Sequence, residues 1–162
     1  MRLARICRKG CISYRRARWQ DQGIGEPRQT DPAPYLRKDF EVDREVAEAR
    51  VYVTGLGYYE LFLNGRKVGD HVLDPAFTRY DKRVLYEVYD LTEELGAGTN
   101  VLAANLGDGW YNMHSLATWG FDKAVWRQPP TLLCQLEITY CDGTRETIVS
   151  DDSWLSHPSP TV

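Results

Sequence analysis

Residues 106–130 combine three tryptophans (Trp110, Trp119, Trp126) with Tyr111 and Phe121, and set among them Asp108, Asn112, Asp122, Lys123 and Arg127. Aromatic faces stack on the apolar C–H faces of flat ligands and sugar rings, while neighbouring polar groups bond hydroxyls. This mixture therefore fits a surface that takes a carbohydrate. The competing reading is structural, with the rings covering an open end of a hydrophobic core. The segment is too long for a hairpin connection, and long ordered loops on a rigid scaffold usually carry function.

Other chemistries lack their residues. The chain has no glycine-rich phosphate loop, no nucleophile elbow and no paired metal-binding histidines. His71, His114 and His157 are scattered and read as surface or hydrogen-bonded side chains. Glu93-Glu94 and Asp151-Asp152 are adjacent in sequence, so on strands they point apart, and they read as solvated turn acids. No two carboxyls can be assigned to the ~6.5–9.5 Å separation that inverting glycoside hydrolysis needs. No catalytic residue is assigned, and the chain alone is expected to be inactive as a glycosidase.

Cys7 and Cys11 lack a second Cys/His pair at zinc-finger spacing. Cys134 and Cys141 are an odd interval apart, so one strand through both would face them oppositely, and they are expected to be single thiols. That usage permits a cytoplasmic location without requiring it.

The 162 residues are 43% hydrophobic and 27% charged, which suits one globular domain. No apolar run approaches the ~18 residues of a membrane-spanning helix. The net charge of −3 conceals a division: seven bases and no acid lie in residues 1–18, leaving 13 bases against 23 acids afterwards. An acidic body argues against a nucleic-acid partner, whose phosphates demand basic surface. The basic segment reads as a solvated arm, and with no apolar stretch behind it, it is not a secretory signal.

The elements that must position the aromatic segment are strands. Gly23, Gly25, Pro27, Pro32 and Pro34 punctuate an irregular linker, so residues 1–33 form arm and linker, with residues 34–162 the folded domain. Residues 50–54 alternate Val51 and Val53 against Tyr52 and Thr54. Residues 59–63 lead to Asn64-Gly65 and then residues 66–68, a hairpin with a type I′ turn. Cys134, Leu136, Ile138 and Tyr140 alternate with polar residues before Asp142-Gly143, and residues 144–149 return as a second hairpin strand. Residues 84–89 and 101–106 are strand-like, and between them Asp90 and Glu93 predict a capping box on one short helical turn, closed by Gly96. The pattern predicts an all-β fold, an antiparallel β-sandwich or jelly roll.

Several motifs in order carry a resemblance. Pro34-Tyr-Leu-Arg-Lys-Asp-Phe40, Tyr52-Val-Thr-Gly-Leu-Gly-Tyr-Tyr-Glu-Leu61, Leu63-Asn-Gly65, Phe77-Thr-Arg-Tyr-Asp-Lys-Arg83 and Leu106-Gly-Asp-Gly-Trp-Tyr111 resemble the N-terminal domain of bacterial α-L-rhamnosidases, glycoside hydrolase family 78. The resemblance spans roughly residues 34–157. It implies a β-sandwich accessory domain whose catalytic (α/α)6 barrel is missing from this chain, and a sandwich that continues past Val162. It implies rhamnosylated glycans or glycosides as partners, with a purely structural domain packed on the barrel or another subunit as the alternative. Related domains bind L-rhamnose with calcium through an Asp-Asn pair; Asp81 matches its first position and Lys82 departs from its second. An ammonium cannot ligate calcium, so no cofactor is expected. The candidate carbohydrate-binding residues are Trp110, Tyr111, Trp119 and Trp126 for stacking, with Asp81 and Asp108 as polar partners.

Overall fold

The computed structural model describes residues 2–3, 12–13, 34–113 and 125–158. These form two antiparallel sheets. The first runs β1 (Arg2–Leu3), β7 (Leu85–Asp90), β4 (Val46–Leu56), β9 (Thr131–Tyr140) and β10 (Arg145–Val149), with β2 (Ile12–Ser13) also on β9. The second runs β11 (Leu155–Pro158), β3 (Pro34–Val42), β8 (Gly98–Gly107), β5 (Tyr58–Leu63) and β6 (Arg66–Lys67). The all-β sandwich expected from the sequence is the fold. The arm expected to be irregular differs in two places, since residues 2–3 pair with β7 and residues 12–13 with β9.

Alternation makes the core. Leu132, Cys134, Leu136, Ile138 and Tyr140 of β9 face inward with Ala49, Val51 and Val53 of β4, against Leu102, Ala104 and Leu106 of β8 and Leu61 and Leu63 of β5. A period of two puts every second side chain on the buried face, so one contiguous core forms between the layers. Thr54, expected on the outer face, is buried as well, because its hydroxyl donates to Leu85 O across the β4–β7 pair at 2.7 Å. Cys134 and Cys141 are both free, one buried and one exposed, and burial pushes the Cys134 thiol up to about 12. Cys7 and Cys11 lie outside the described residues.

Both hairpins are present. Leu63 pairs with Arg66, and Asn64 and Gly65 both take positive φ (51° and 80°), as a two-residue type I′ turn requires. A Cβ at Gly65 would meet nothing within 4 Å. Gly65→Val is therefore expected to cost about 1–3 kcal/mol through backbone strain alone. Thermal unfolding checks this, and an unchanged midpoint would contradict it. In the second hairpin, Tyr140 N–H donates to Thr144 O and Gly143 sits at φ 82°.

The expected capping box is replaced by a smaller device. Asp90 Oδ1 accepts from the Thr92 N–H at 3.0 Å, and Leu95 N–H donates to Leu91 O, so the segment closes one turn without growing into a helix. Gly98 rather than Gly96 takes the positive φ, 89°. The Asp90 carboxyl is held below its ordinary range by these Thr92 donors.

Candidate functional site

The chain passes from one sheet to the other at a single residue. Leu56 pairs with Thr131 in the first sheet, Tyr58 pairs with Gly107 in the second, and Gly57 between them has φ 107°. Its Cα packs so closely on the end of β8 that a Cβ there would lie 2.2 Å from Gly107 O. This contact fixes where β8 ends and where the next turn begins. In that turn Asn112 N–H donates to Asp108 O at 3.1 Å and Asn112 Nδ2 donates to Asp108 Oδ1 at 2.7 Å. The turn leaves Asp108 exposed, Trp110 half-buried and Tyr111 buried.

A second segment meets it. Between β6 and β7, Lys82 and Arg83 N–H groups both donate to Arg79 O at 2.9 Å, and Thr78 Oγ1 donates to Arg83 O. The turn buries Tyr80 and Val84, and Leu56, Trp110 and Trp126 pack against them and Tyr111 as a satellite cluster. The rings meet edge-on or tilted: Tyr80–Tyr111 at 5.1 Å between centroids, Phe77–Tyr80 at 5.8 Å, Phe77–Trp110 at 6.1 Å and Tyr80–Trp126 at 6.2 Å. Such geometry sets the positive ring edge against the negative face and stiffens the group. Burial pushes the Tyr80 hydroxyl up to about 12, and among the described residues it has no hydrogen-bond partner.

The sequence-derived residues thus divide by position. Trp110 and Trp126 each pack on the cluster's margin, half-exposed. Tyr111 is buried beneath them with its ring on Tyr80, so it braces the cluster from inside. Trp119 lies outside the described residues. Phe77 and Tyr80 are the additions, and Phe77 remains 49% exposed. Their signal stood in the motif of residues 77–83, where two rings three residues apart flank the turn.

Asp81 is exposed beside this cluster. Both of its oxygens take guanidinium donors from Arg79, Nε to Oδ1 at 2.8 Å and Nη2 to Oδ2 at 3.1 Å. Asp81 is thus paired with Arg79, and the exposed Lys82 follows it in sequence.

A two-sheet antiparallel sandwich with an aromatic cluster beside one sheet-to-sheet crossing defines the class. The chain belongs to the α-L-rhamnosidase N-terminal domain family, whose model matches residues 44–162. It is 42% identical over 155 residues to an α-L-rhamnosidase of Formosa agariphila, covering 92% of this chain and 16% of that protein. It is similar to the structure of an α-L-rhamnosidase from Dictyoglumus thermophilum, with 41% identity, TM-score 0.71, and 80% and 14% of the two chains covered. A Streptomyces avermitilis α-L-rhamnosidase complexed with L-rhamnose is similar at 41% identity and TM-score 0.73, with 80% and 12% covered. The chain thus spans less than a fifth of the length of these relatives.

Proposed function

We propose that this domain is an accessory carbohydrate-binding domain of an α-L-rhamnosidase, holding L-rhamnose-containing glycans or glycosides at the aromatic cluster. One observation carries the reading: exposed or half-exposed rings (Phe77, Trp110, Trp126) share a rigid cluster with turns that bear the exposed carboxylates Asp81 and Asp108. A ring offers its face to the C–H side of a sugar, and a carboxylate accepts from its hydroxyls. The relative complexed with L-rhamnose makes that sugar the first ligand to test. This reading needs no metal, since the ammonium of Lys82 cannot ligate one and Arg79 pairs with Asp81.

One or two stacked rings and a few solvated hydrogen bonds give weak affinity, in the millimolar to micromolar range, about −4 to −8 kcal/mol. Calorimetric titration of the domain with L-rhamnose is expected to show that affinity, unchanged by chelator. Trp110→Ala is expected to weaken it about tenfold or more, the loss of one stacked ring. Equal affinity for the variant would remove the cluster from the site. A second reading, a face docked on the rest of a longer protein, draws on Val72 and Leu73, which are 68% and 67% exposed. That reading expects no heat with the sugar from a folded domain.

A further inference from the structure

Glu87 stands on β7 opposite Val53 of β4, and Tyr89 stands opposite Val51. Directly paired residues share a face, and Val51 and Val53 face the core, so Glu87 and Tyr89 point into the gap between the two sheets. A carboxylate on the inner side of a sheet is costly to desolvate unless a cation or donors meet it. Among the described residues Glu87 has no basic partner.

What meets it instead is the loop after β6. Tyr59, on β5 of the opposite sheet, donates its N–H to Asp74 O at 3.0 Å and ties that loop down. Gly69 lies so close to Tyr89 that a Cβ there would approach the ring to 2.5 Å, and the His71 ring sits edge-on to the same tyrosine at 6.2 Å. His71 Nδ1 is 2.9 Å from Asp74 Oδ2. One ligand atom each from His71, Asp74 and Glu87 lies within 4.8 Å of the other two.

A second feature of the same spot is a pair of tyrosines. The Tyr59 hydroxyl is buried, its residue only 5% exposed, and among the described residues its neighbour is the Tyr89 hydroxyl, with no hydrogen bond of full geometry between protein groups there. The same spot therefore brings two carboxylates and an imidazole together beside a pair of tyrosine hydroxyls.

We infer that His71, Asp74 and Glu87 form a binding site for a divalent transition-metal ion of the zinc class. With their ligand atoms within 4.8 Å of one another, small side-chain rotations would bring all three to about 2.0–2.2 Å from one ion, the distances zinc makes to nitrogen and carboxylate oxygen. One imidazole and two carboxylates favour that class over calcium or magnesium, which prefer all-oxygen shells. The ion neutralises Glu87, leaves a coordination position for water next to the two phenols, and ties the loop after β6 to β7 of the other sheet. The site is distinct from the aromatic cluster and from Asp81.

The test titrates ZnCl2 into the metal-stripped full chain and follows the His71 imidazole signals by NMR, with His71→Gln and Glu87→Gln in parallel. The wild-type His71 signals are expected to shift at an equimolar metal ratio, and each variant to bind zinc about tenfold or more weakly. His71 has half its side chain in solvent, so the Gln variant keeps the fold, and circular dichroism verifies it for both. Zinc binding of undiminished strength in both variants, or His71 signals that ignore zinc, overturns the site. Displacement of zinc by millimolar calcium overturns the assigned metal class.

Discussion

Gly57→Ala is expected to destabilise the domain by about 4 kcal/mol, near the upper end for one substitution. Two costs coincide. The backbone sits at φ 107°, a conformation that L side chains rarely adopt and that costs of order 1–3 kcal/mol to impose. The added methyl would also stand 2.2 Å from Gly107 O and 3.1 Å from Asp108 O, both main-chain atoms with no rotamer to yield. Gly65 supplies the control, since it shares the positive φ but has open space around it. The excess of Gly57→Ala over a Gly65 substitution then measures the crowding alone. Urea unfolding reads both, and equal losses would contradict the account. Because Gly107 and Asp108 lead directly into Trp110, the same change is expected to alter the tryptophan emission of whatever remains folded.

Asn100→Ala is the second large effect, about 3 kcal/mol. Asn100 is fully buried on the inner face of β8, and every hydrogen-bonding position of its amide is used. Nδ2 donates to Gly96 O at 2.6 Å and to Gly98 O at 3.0 Å, while Oδ1 accepts from Gly96 N–H at 3.0 Å and from Asn64 Nδ2 at 2.9 Å. The side chain thereby fastens the turn before β8 to the β5–β6 hairpin. Asn64 returns the contact, its Oδ1 accepting from Val101 N–H at 2.9 Å. Removing the amide leaves several buried groups unpaired, each costing about 1–3 kcal/mol, with water reaching some of them at the turn. A urea midpoint unchanged by Asn100→Ala would show that this network holds nothing. Asn100→Asp is expected to do no better, since a carboxylate replaces two donors with charge.

The strands were legible where a local rule suffices. Asn64-Gly65 announces its turn through left-handed backbone preference, and β9 announces itself through four alternating residues, Cys134 to Tyr140, all of which face inward. The aromatic segment was legible by composition, and its residues Trp110 and Trp126 both pack on one cluster. Phe77 and Tyr80 were harder to assign because they come from a different connection, and only the sheet crossing at Gly57 brings that connection against the end of β8. His71, Asp74 and Glu87 were illegible for the same reason. Two lie on a loop tied to β5 and one on β7, and these belong to opposite sheets. Asn100 was hidden differently: beside Gly98 and Thr99 it reads as turn punctuation, whereas its period along β8 sends it inward with Leu102.

These placements give the aromatic cluster its rigidity. Three connections converge there: the Gly57 crossing, the turn at residues 108–112 and the turn at residues 79–83. Tyr80 and Tyr111 lock them together from the buried side, so the outer rings have few ways to rearrange. On the proposed reading, a preorganised surface would take a small rigid ligand without first losing conformational freedom, which would offset part of the weakness of a shallow sugar contact.

The most direct measurement is a titration of isotope-labelled protein with L-rhamnose, following the indole N–H signals of all five tryptophans together. Trp110 and Trp126 are expected to shift along one saturating curve with a dissociation constant between micromolar and millimolar, while the buried Trp154 of the main core stays still. If every indole signal of the folded domain remains fixed at tens of millimolar sugar, or if the shifts fall on Trp154 instead, the aromatic cluster is not a carbohydrate site.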